Sequence, residues 1–175
     1  MLSWLQSWAL AVVVGMAEDR GMADLTIQIY VDADACPVKD EVARVAGRHE
    51  LMTHFVANAW MRLPEGDHFR RVVVPDGPDV ADDWIAERAG VADIVVTGDI
   101  PLAARCVAAG ATVINHNGKP FTPDNMGITL ATRNLMAHLR ETGTATTYNA
   151  AFTPKDRSRF LQALETAVQA LKRGR

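Results

Sequence analysis

Five short apolar runs, each separated from the next by a longer stretch of mixed residues, constrain the fold of this chain more than any other feature. A run of about four to eight apolar residues that is rich in valine and isoleucine, and is bounded by Gly, Pro or Asp, is typical of a buried strand. Strands that alternate with helices form parallel sheets, with helices packed on both faces. We therefore predict a three-layer α/β/α fold with a mostly parallel central sheet of about five strands, at 27–36, 51–57, 71–75, 93–97 and 111–115.

Composition places the chain among globular proteins of ordinary size. Its 175 residues are 49% hydrophobic and 22% charged, which suits one domain with a substantial core. The two cysteines, Cys36 and Cys106, form no CxxC pair, which argues against a zinc site and agrees with a reducing cytoplasm. The net charge of −3 is not typical of a strong nucleic-acid binder, although it does not exclude one. Because the sequence contains no Gly-x-Gly-x-x-Gly or phosphate-loop motif, we expect no nucleotide cofactor.

The first 21 residues differ in character from the rest of the chain. Residues 7–16 form a short apolar run, but a transmembrane helix needs about 20 apolar residues. No Lys or Arg precedes the run, so the charged start of a signal peptide is missing. We expect residues 1–21 to be a non-native or disordered extension and 22–175 to form a single cytoplasmic domain without membrane attachment. An amphipathic N-terminus that touches a membrane is the alternative.

Two stretches with helical spacing close the chain. One covers residues 128–140 and places four apolar residues on one helical face: Ile128, Ala131, Leu135 and Leu139. The other begins at Thr153, a good N-cap residue, with Pro154 in the first helical position and Asp156 three residues after the cap. We predict that its core stripe consists of Leu161, Leu164, Val168 and Leu171.

Acidic residues follow three of the predicted strands. Asp32 and Asp34 end the first strand and lie two residues apart, so they point to the same side of an ideal strand. Asp79 and Asp82 follow the third strand and share a face of the first turn of a predicted helix. Asp99 follows the fourth strand. Because the carboxyl ends of parallel strands share one edge of the sheet, where ligands bind in open α/β folds, we expect these carboxylates to converge there.

Closely spaced carboxylates repel one another unless a cation or a proton lies between them. Mg²⁺ and Mn²⁺ prefer hard oxygen ligands, and carboxylate clusters commonly hold one or two such ions that activate water for phosphodiester cleavage. We therefore predict a site for Mg²⁺ or Mn²⁺ formed by these aspartates. For each aspartate taken singly, a structural role is the alternative, since an acid at a helix start interacts favourably with the helix dipole by about 0.3–1 kcal/mol.

Three segments of the chain resemble a known family: VDADACPVK at 31–39, PDVADDWIAERA at 78–89 and VVTGDIPLAARCVAAGA at 95–111. They are similar to segments of the bacterial YaiI/YqxD family, and the similarity covers about 27–171. That family looks like a branch of the PIN-like nucleases. The resemblance therefore implies a PIN-like fold and a divalent-metal-dependent nuclease that acts on RNA.

The resemblance also implies roles for individual residues. In PIN-like domains the metal-binding acids lie at the end of the first strand, on a middle helix, and in a Thr/Ser-x-Asp after a later strand. By this pattern the catalytic acids are Asp32, Asp82 and Asp99, and the further ligands are Asp34 and Asp79. The residues expected to contact the substrate are Lys39, Thr97, Arg105, Lys119 and Arg133, with a solvated helix residue as the alternative for Lys39.

Further family features fall on the last third of the chain. The family's Asn-x-x-Gly motif and the arginine on the following helix match Asn115, Gly118 and Arg133. The chain departs from the family in the late loop at 148–152, where the family tends to have Gly-Pro-like residues before Phe-Thr. This departure leaves the loop without a predicted role.

Two other functions remain open at the level of sequence. Asp32-Ala33-Asp34 also fits the start of the haloacid-dehalogenase-like phosphatase signature, in which the first aspartate is the nucleophile. The lysine of that signature should precede a later acidic pair, whereas Lys119 follows Asp79 and Asp82, so this function ranks second. The third function is a non-catalytic module that binds RNA or a nucleotide at the same edge, although convergent carboxylates without a metal would be costly. No sequence feature predicts an oligomeric state.

Overall fold

The computed structural model describes residues 26–34, 36–144 and 151–174. The strands in this part of the chain are β1 (Gln28–Asp32), β2 (Met52–Ala57), β3 (Phe69–Val73), β4 (Ile94–Val96), β5 (Thr112–Ile114) and β6 (Pro120–Phe121). The helices are α1 (Lys39–His49), α2 (Val80–Ala86), α3 (Ile100–Ala108), α4 (Pro123–Glu141) and α5 (Pro154–Arg173). The expected extension at 1–21 and most of the late loop at 148–152 lie outside the described residues.

All of these strands belong to one sheet in the order β3-β2-β1-β4-β5-β6. The pairings from β3 to β5 are parallel, and β6 pairs antiparallel with β5. The predicted mostly parallel sheet and its five strands are therefore confirmed. The short strand β6 is an addition: Pro120 pairs with Ile114 and Phe121 with Val113. A strand of two residues has no period to detect in the sequence.

The buried sheet separates two apolar clusters, which explains the layers. On one face, Val31 and Phe55 pack with residues of α1 and α5, including Phe160. On the other face, Tyr30 packs with residues of α2 and α3, including Ile85. Tyr30 and Val31 enter different clusters because successive side chains of a strand point to opposite faces. The predicted three-layer α/β/α architecture is confirmed.

The helix boundaries follow from their caps. Thr153 accepts a hydrogen bond from the N–H of Asp156, whose side chain accepts from the N–H of Thr153, and this reciprocal capping box opens α5 at the predicted position. Thr122 and Asn125 form the same arrangement at the start of α4. Both helices carry Pro in the first turn, where a missing N–H costs no hydrogen bond.

Helix α4 starts five residues before the stretch predicted from its spacing, at Pro123. Met126 is its only buried residue, while Ile128 is 71% exposed and Leu135 is 57% exposed. The helix packs beside α3 and lies in the same layer of the molecule. Among the described residues, no helix combines the length and the apolar composition needed to cross a membrane.

Candidate functional site

The order of the strands places a crevice between β1 and β4. From β1 the sheet continues to β2 on one side, and from β4 it continues to β5 on the other. The helices that follow β1 and β4 pack in opposite layers, α1 with one apolar cluster and α3 with the other. Such a reversal opens a crevice at the carboxyl ends of the two strands, and this is where ligands bind in doubly wound folds. Asp32 is the last residue of β1, and Thr97, Gly98 and Asp99 follow β4 directly.

Thr97 links the two strand ends. Its hydroxyl donates a hydrogen bond to Oδ2 of Asp32 at 2.9 Å and accepts one from the backbone N–H of Asp99, also at 2.9 Å. The side chain is fully buried. Thr97, which the resemblance places among the substrate contacts, therefore lies behind Asp32 and Asp99 and fixes their relative position.

Asp99 serves as a helix cap and still offers an oxygen to the crevice. Its Oδ1 accepts a hydrogen bond from the N–H of Leu102 at 2.8 Å, which satisfies one of the free donors at the start of α3. Its Oδ2 has no hydrogen-bond partner within the described residues. One oxygen of Asp99 therefore has a structural role as the cap of α3, and the other is available for the predicted role as a metal ligand.

Asp82 lies on α2 and brings a third carboxylate to the crevice. Its side chain makes no hydrogen bond or ion pair with any residue that the structure describes. Partial burial, together with the negative charges of Asp99, Asp32 and Asp79, raises the pKa of Asp82 to about 6, against the opposing effect of Arg105. This shift shows that the carboxylates of β1, α2 and α3 lie within electrostatic reach of one another.

The pKa of Asp32 is raised as well. Burial is the main cause, and the charges of Asp34 and Asp99 act in the same direction, while the hydrogen bond from Thr97 lowers the pKa. The carboxylate nevertheless keeps Oδ1 free of hydrogen bonds to the described residues. Asp32 thus combines one fixed oxygen with one available oxygen, as Asp99 does.

Asp34 and Asp79 flank this group and are exposed. Both oxygens of Asp34 accept from the backbone N–H of Asn58, at 3.2 and 3.1 Å, which ties the end of β1 to the end of β2. Asp79 occupies the N-cap of α2 in the left-handed region, with φ 61°, and its side chain makes no capping bond. Helix α1 has Val38 at its N-cap. Neither aspartate therefore caps a helix with its side chain, although Asp79 lies at the start of α2, where a negative charge interacts favourably with the helix dipole.

The donor set suits a hydrated hard cation. Within residues 26–34, 36–144 and 151–174, no three His, Cys, Asp or Glu side chains converge closely enough to hold a metal ion by themselves. Mg²⁺ does not require such a cage, because it retains several waters and is usually held by one or two carboxylates together with substrate phosphates. The oxygens available for this are on Asp32, Asp82 and Asp99.

The predicted phosphate-binding residues fall in two places. Lys39 lies at the acidic crevice, where its Nζ donates to the carbonyl of Ala33 at 3.0 Å; Ala33 stands between Asp32 and Asp34 in the sequence. Arg105 lies nearby, but its Nη1 pairs with Oδ1 of Asp83 at 2.7 Å. Lys119 and Arg133 lie in a groove beside α4 that begins at Ile100, the residue after Asp99.

His116 is a residue whose position the sequence did not reveal. Its ring lies against Gly98: a Cβ atom on that glycine would be 3.2 Å from Cε1 of the histidine. Its Nε2 is buried and has no hydrogen-bond partner among the described residues, and burial lowers the pKa of the imidazole. The signal in the sequence was its place two residues after β5, at the end of a strand. His116 therefore supports the turn between Thr97 and Asp99 as a neutral ring.

Comparison with known proteins gives a consistent result. A model of the uncharacterised YaiI/YqxD family matches residues 30–170. A UPF0178 protein of Parvibaculum lavamentivorans is 59% identical over 146 residues, which is 83% of this chain and 96% of the relative. A UPF0178 protein of Rhodopseudomonas palustris is 56% identical over 154 residues, covering 88% of this chain and 98% of the relative. The one from Rhodospirillum rubrum is 55% identical over 150 residues, covering 85% and 100%. No solved structure gives a significant match.

Proposed function

The chain belongs to the YaiI/YqxD family, and from the geometry of its carboxyl edge we propose that it is a divalent-metal-dependent nuclease that hydrolyses RNA. The observation that carries this proposal is the placing of Asp32 and Asp99 side by side through Thr97, with Asp82 of α2 within electrostatic reach of both. Burial is the main cause of the raised pKa of Asp82, and the charges of Asp99, Asp32 and Asp79 add to it, so a cation among these acids would favour their ionised forms.

The roles of the residues follow from their contacts. Asp32, Asp82 and Asp99 would hold Mg²⁺ or Mn²⁺ with the oxygens that carry no hydrogen bond, one or two of them directly and the rest through waters on the ion. The bound ion would polarise a phosphodiester, lower the pKa of an attacking water and neutralise developing charge. Thr97 holds Asp32 and Asp99 in a fixed relative position through its two hydrogen bonds.

Three further charged residues complete the account. Asp34 fixes the end of β1 to β2 through Asn58 and lies beside Asp32, so it adds negative charge near the ion. Lys39 donates to the backbone between the acids, and its ammonium has further N–H donors to offer a substrate phosphate. The fifth acid, Asp79, adds its negative charge to those that act on Asp82.

The proposal is tested by incubating the protein with end-labelled single-stranded RNA in Mg²⁺, in Mn²⁺ and in EDTA. We expect cleavage only with the ions. We expect Asp32→Asn and Asp99→Asn to reduce the rate about 100-fold or more, because even the outer partners of metal ligands contribute about 10- to 100-fold. Asparagine is also a good N-cap, so Asp99→Asn retains the start of α3.

Asp83→Asn is the matched control. Asp83 is the neighbour of Asp82 in sequence, but it is exposed and pairs with Arg105, so we expect this variant to cleave like the wild type. Cleavage that persists in EDTA, or in Asp99→Asn, contradicts the proposal. Hydrolysis of phosphomonoesters with a phosphorylated Asp32, in place of RNA cleavage, would instead establish the phosphatase alternative.

A further inference from the structure

A groove of about 450 Å³ lies along α4. Its lining includes Ile100, the residue that follows Asp99 in sequence. Lys119 lines it from the turn between β5 and β6, and Arg140 lies near the far end of α4. The groove therefore has a lining residue beside one proposed metal ligand, and its other lining residues lie on α4 and in the β5–β6 turn.

The charge of the groove is of one sign. Its lining includes Lys119, Arg133 and Arg140 and no acidic residue. Within the part of the chain that the structure describes, none of these three side chains forms an ion pair, and Arg133 donates only to Oδ1 of Asn134 at 3.3 Å. On α4, Arg133 and Arg140 are two turns apart, which is about 10 Å along the axis. Three cations without acidic partners suit a polyanion with regularly spaced charges.

Apolar side chains lie between these cations. Ile128 is 71% exposed and Met136 is 39% exposed, and both line the groove with Ile100. On α4 the groove residues Ile128, Thr132, Met136 and Arg140 recur every four positions, so they share one face of the helix. An occupant must therefore offer both negative charges and apolar surfaces.

A single strand of nucleic acid has this combination, because its bases are unstacked and free to pack against side chains, whereas a duplex presents mainly phosphates and sugars. Two threonines favour RNA over DNA. The hydroxyls of Thr129 and Thr132 donate to the carbonyls of Asn125 and Ile128, both at 2.8 Å. Their oxygens can then only accept, and a ribose 2′-OH is the donor that distinguishes RNA from DNA.

The geometry points to the α4 groove as the binding track for the single-stranded RNA that the crevice cleaves, with phosphates at Lys119, Arg133 and Arg140 and bases against Ile128 and Met136. This inference rests on the proposed nuclease function and adds its substrate class. A second copy of the chain is a poorer occupant. In a two-fold contact the same patch meets itself, so the arginines of the two copies would face one another.

The test measures binding separately from cleavage. Fluorescence anisotropy follows a labelled 12-residue RNA on full-length Asp99→Asn protein, which should not cut it, between about 50 and 200 mM KCl. Adding Arg133→Gln and Arg140→Gln is expected to weaken binding about tenfold or more and to lower the slope of log K against log salt by about 1.4, since each phosphate contact to a single strand contributes about 0.7.

The matched control is the pair Arg44→Gln and Arg173→Gln, which also removes two exposed arginines but from α1 and α5 in the opposite layer. We expect it to leave the slope unchanged. An equal loss of RNA affinity in both double variants, or no loss of affinity in the α4 variant, overturns the inference. Equal affinity for DNA of the same sequence overturns the assignment to RNA.

A cleavage assay distinguishes failure of the track from failure of the proposed function. Bis(p-nitrophenyl) phosphate is a small diester that can reach the acids without filling the groove. With Mn²⁺, the α4 double variant in the wild-type background should lose about tenfold in kcat/KM on RNA and much less on the small diester. If both substrates are cut equally well by variant and wild type, the track is wrong and the nuclease stands. If wild type cuts neither substrate, the nuclease fails, and the anisotropy result alone decides the track.

Discussion

Helices α4 and α5 begin with the same capping arrangement but pack in very different surroundings. They have 19 and 20 residues, and each opens with a threonine cap, a capping box and a proline in the first turn. Helix α5 buries Phe160, Leu164 and Val168 against the sheet and α1. Helix α4 buries only Met126. Caps and apolar spacing therefore define where a helix begins and which face is apolar, but not what covers that face.

The charged residues of the two helices differ in the same way as their apolar residues. On α5, Arg157 pairs with the buried Glu41 of α1 at 2.9 Å, and Glu165 pairs with His49 at 2.8 Å. On α4, Arg133 and Arg140 have no acidic partner within the described residues. A helix whose apolar and charged groups are satisfied stabilises the fold. A helix that leaves both kinds of group available is suited to binding.

Truncation of an apolar side chain to alanine should give the largest difference between the two helices in the free energy of unfolding. Phe160→Ala removes a fully buried ring and should lower the free energy of unfolding by about 3–5 kcal/mol. Leu135→Ala in α4 should change it by about 0.5 kcal/mol or less, because the side chain is 57% exposed. Urea unfolding of the two variants measures both values. A loss of several kcal/mol in Leu135→Ala would mean that α4 is covered in solution and would contradict the contrast.

A pair of glycine substitutions should change stability in opposite directions. Gly118 has φ +77°, and a Cβ there would lie 2.7 Å from the carbonyl oxygen of Arg159 on α5, so Gly118→Ala should destabilise by about 1–3 kcal/mol. Gly127 lies on α4 with nothing within 4 Å of a Cβ. Gly127→Ala should stabilise by about 0.5–1 kcal/mol through helix propensity. Thermal unfolding would measure this gain in stability, and a lower Tm for Gly127→Ala would contradict an exposed α4.

A modest effect on stability is expected from Asp82 in the absence of metal. Its pKa is raised from 3.8 to about 6, so the folded protein holds this proton more tightly than the unfolded chain. The free energy of unfolding must therefore fall as the pH rises from about 4 to 6, and the full penalty persists above 6. Because the side chain is partly exposed, we expect only about 1 kcal/mol.

Asp82→Asn removes this penalty, so in EDTA at pH 7.5 it should raise Tm by about 2–4 °C and flatten the pH profile between 4 and 6. Asp83→Asn is the comparison: it breaks an exposed ion pair with Arg105 and should lower stability by about 0.2–1 kcal/mol. A lower Tm in Asp82→Asn than in Asp83→Asn would show that the carboxylates of the crevice do not destabilise the fold by repulsion.

Much of the fold was predictable because a parallel sheet follows from a few local patterns. Alternating strands and helices determined the layers, and parallel strands bring acids that follow them to one edge. The start of α5 at Thr153 and Pro154 was read correctly from capping chemistry. Its core stripe was nearly right: Leu164 and Val168 are buried as predicted, but Phe160 is buried too, while Leu161 and Leu171 lie at the margin of the core.

The remaining features depend on contacts between distant segments. The buried hydroxyl of Thr97 reaches Asp32 across 65 positions of sequence. Asn58 fixes Asp34 from the end of another strand, and the unpaired nitrogen of His116 follows from its packing on Gly98. No local pattern encodes such distances. The α4 groove was missed for the same reason, since the apolar face of 128–140 has the same spacing as a covered one.

The central claim is that the aspartates of β1, α2 and α3 form one site for a divalent ion. Calorimetric titration of Mn²⁺ into the wild type, Asp32→Asn and Asp99→Asn tests it most directly, with unfolding curves to show that the variants fold. We predict that the wild type binds Mn²⁺ and that both substitutions abolish binding. Wild-type affinity retained in both well-folded variants, or no Mn²⁺ bound by the wild type even with RNA present, would contradict the claim.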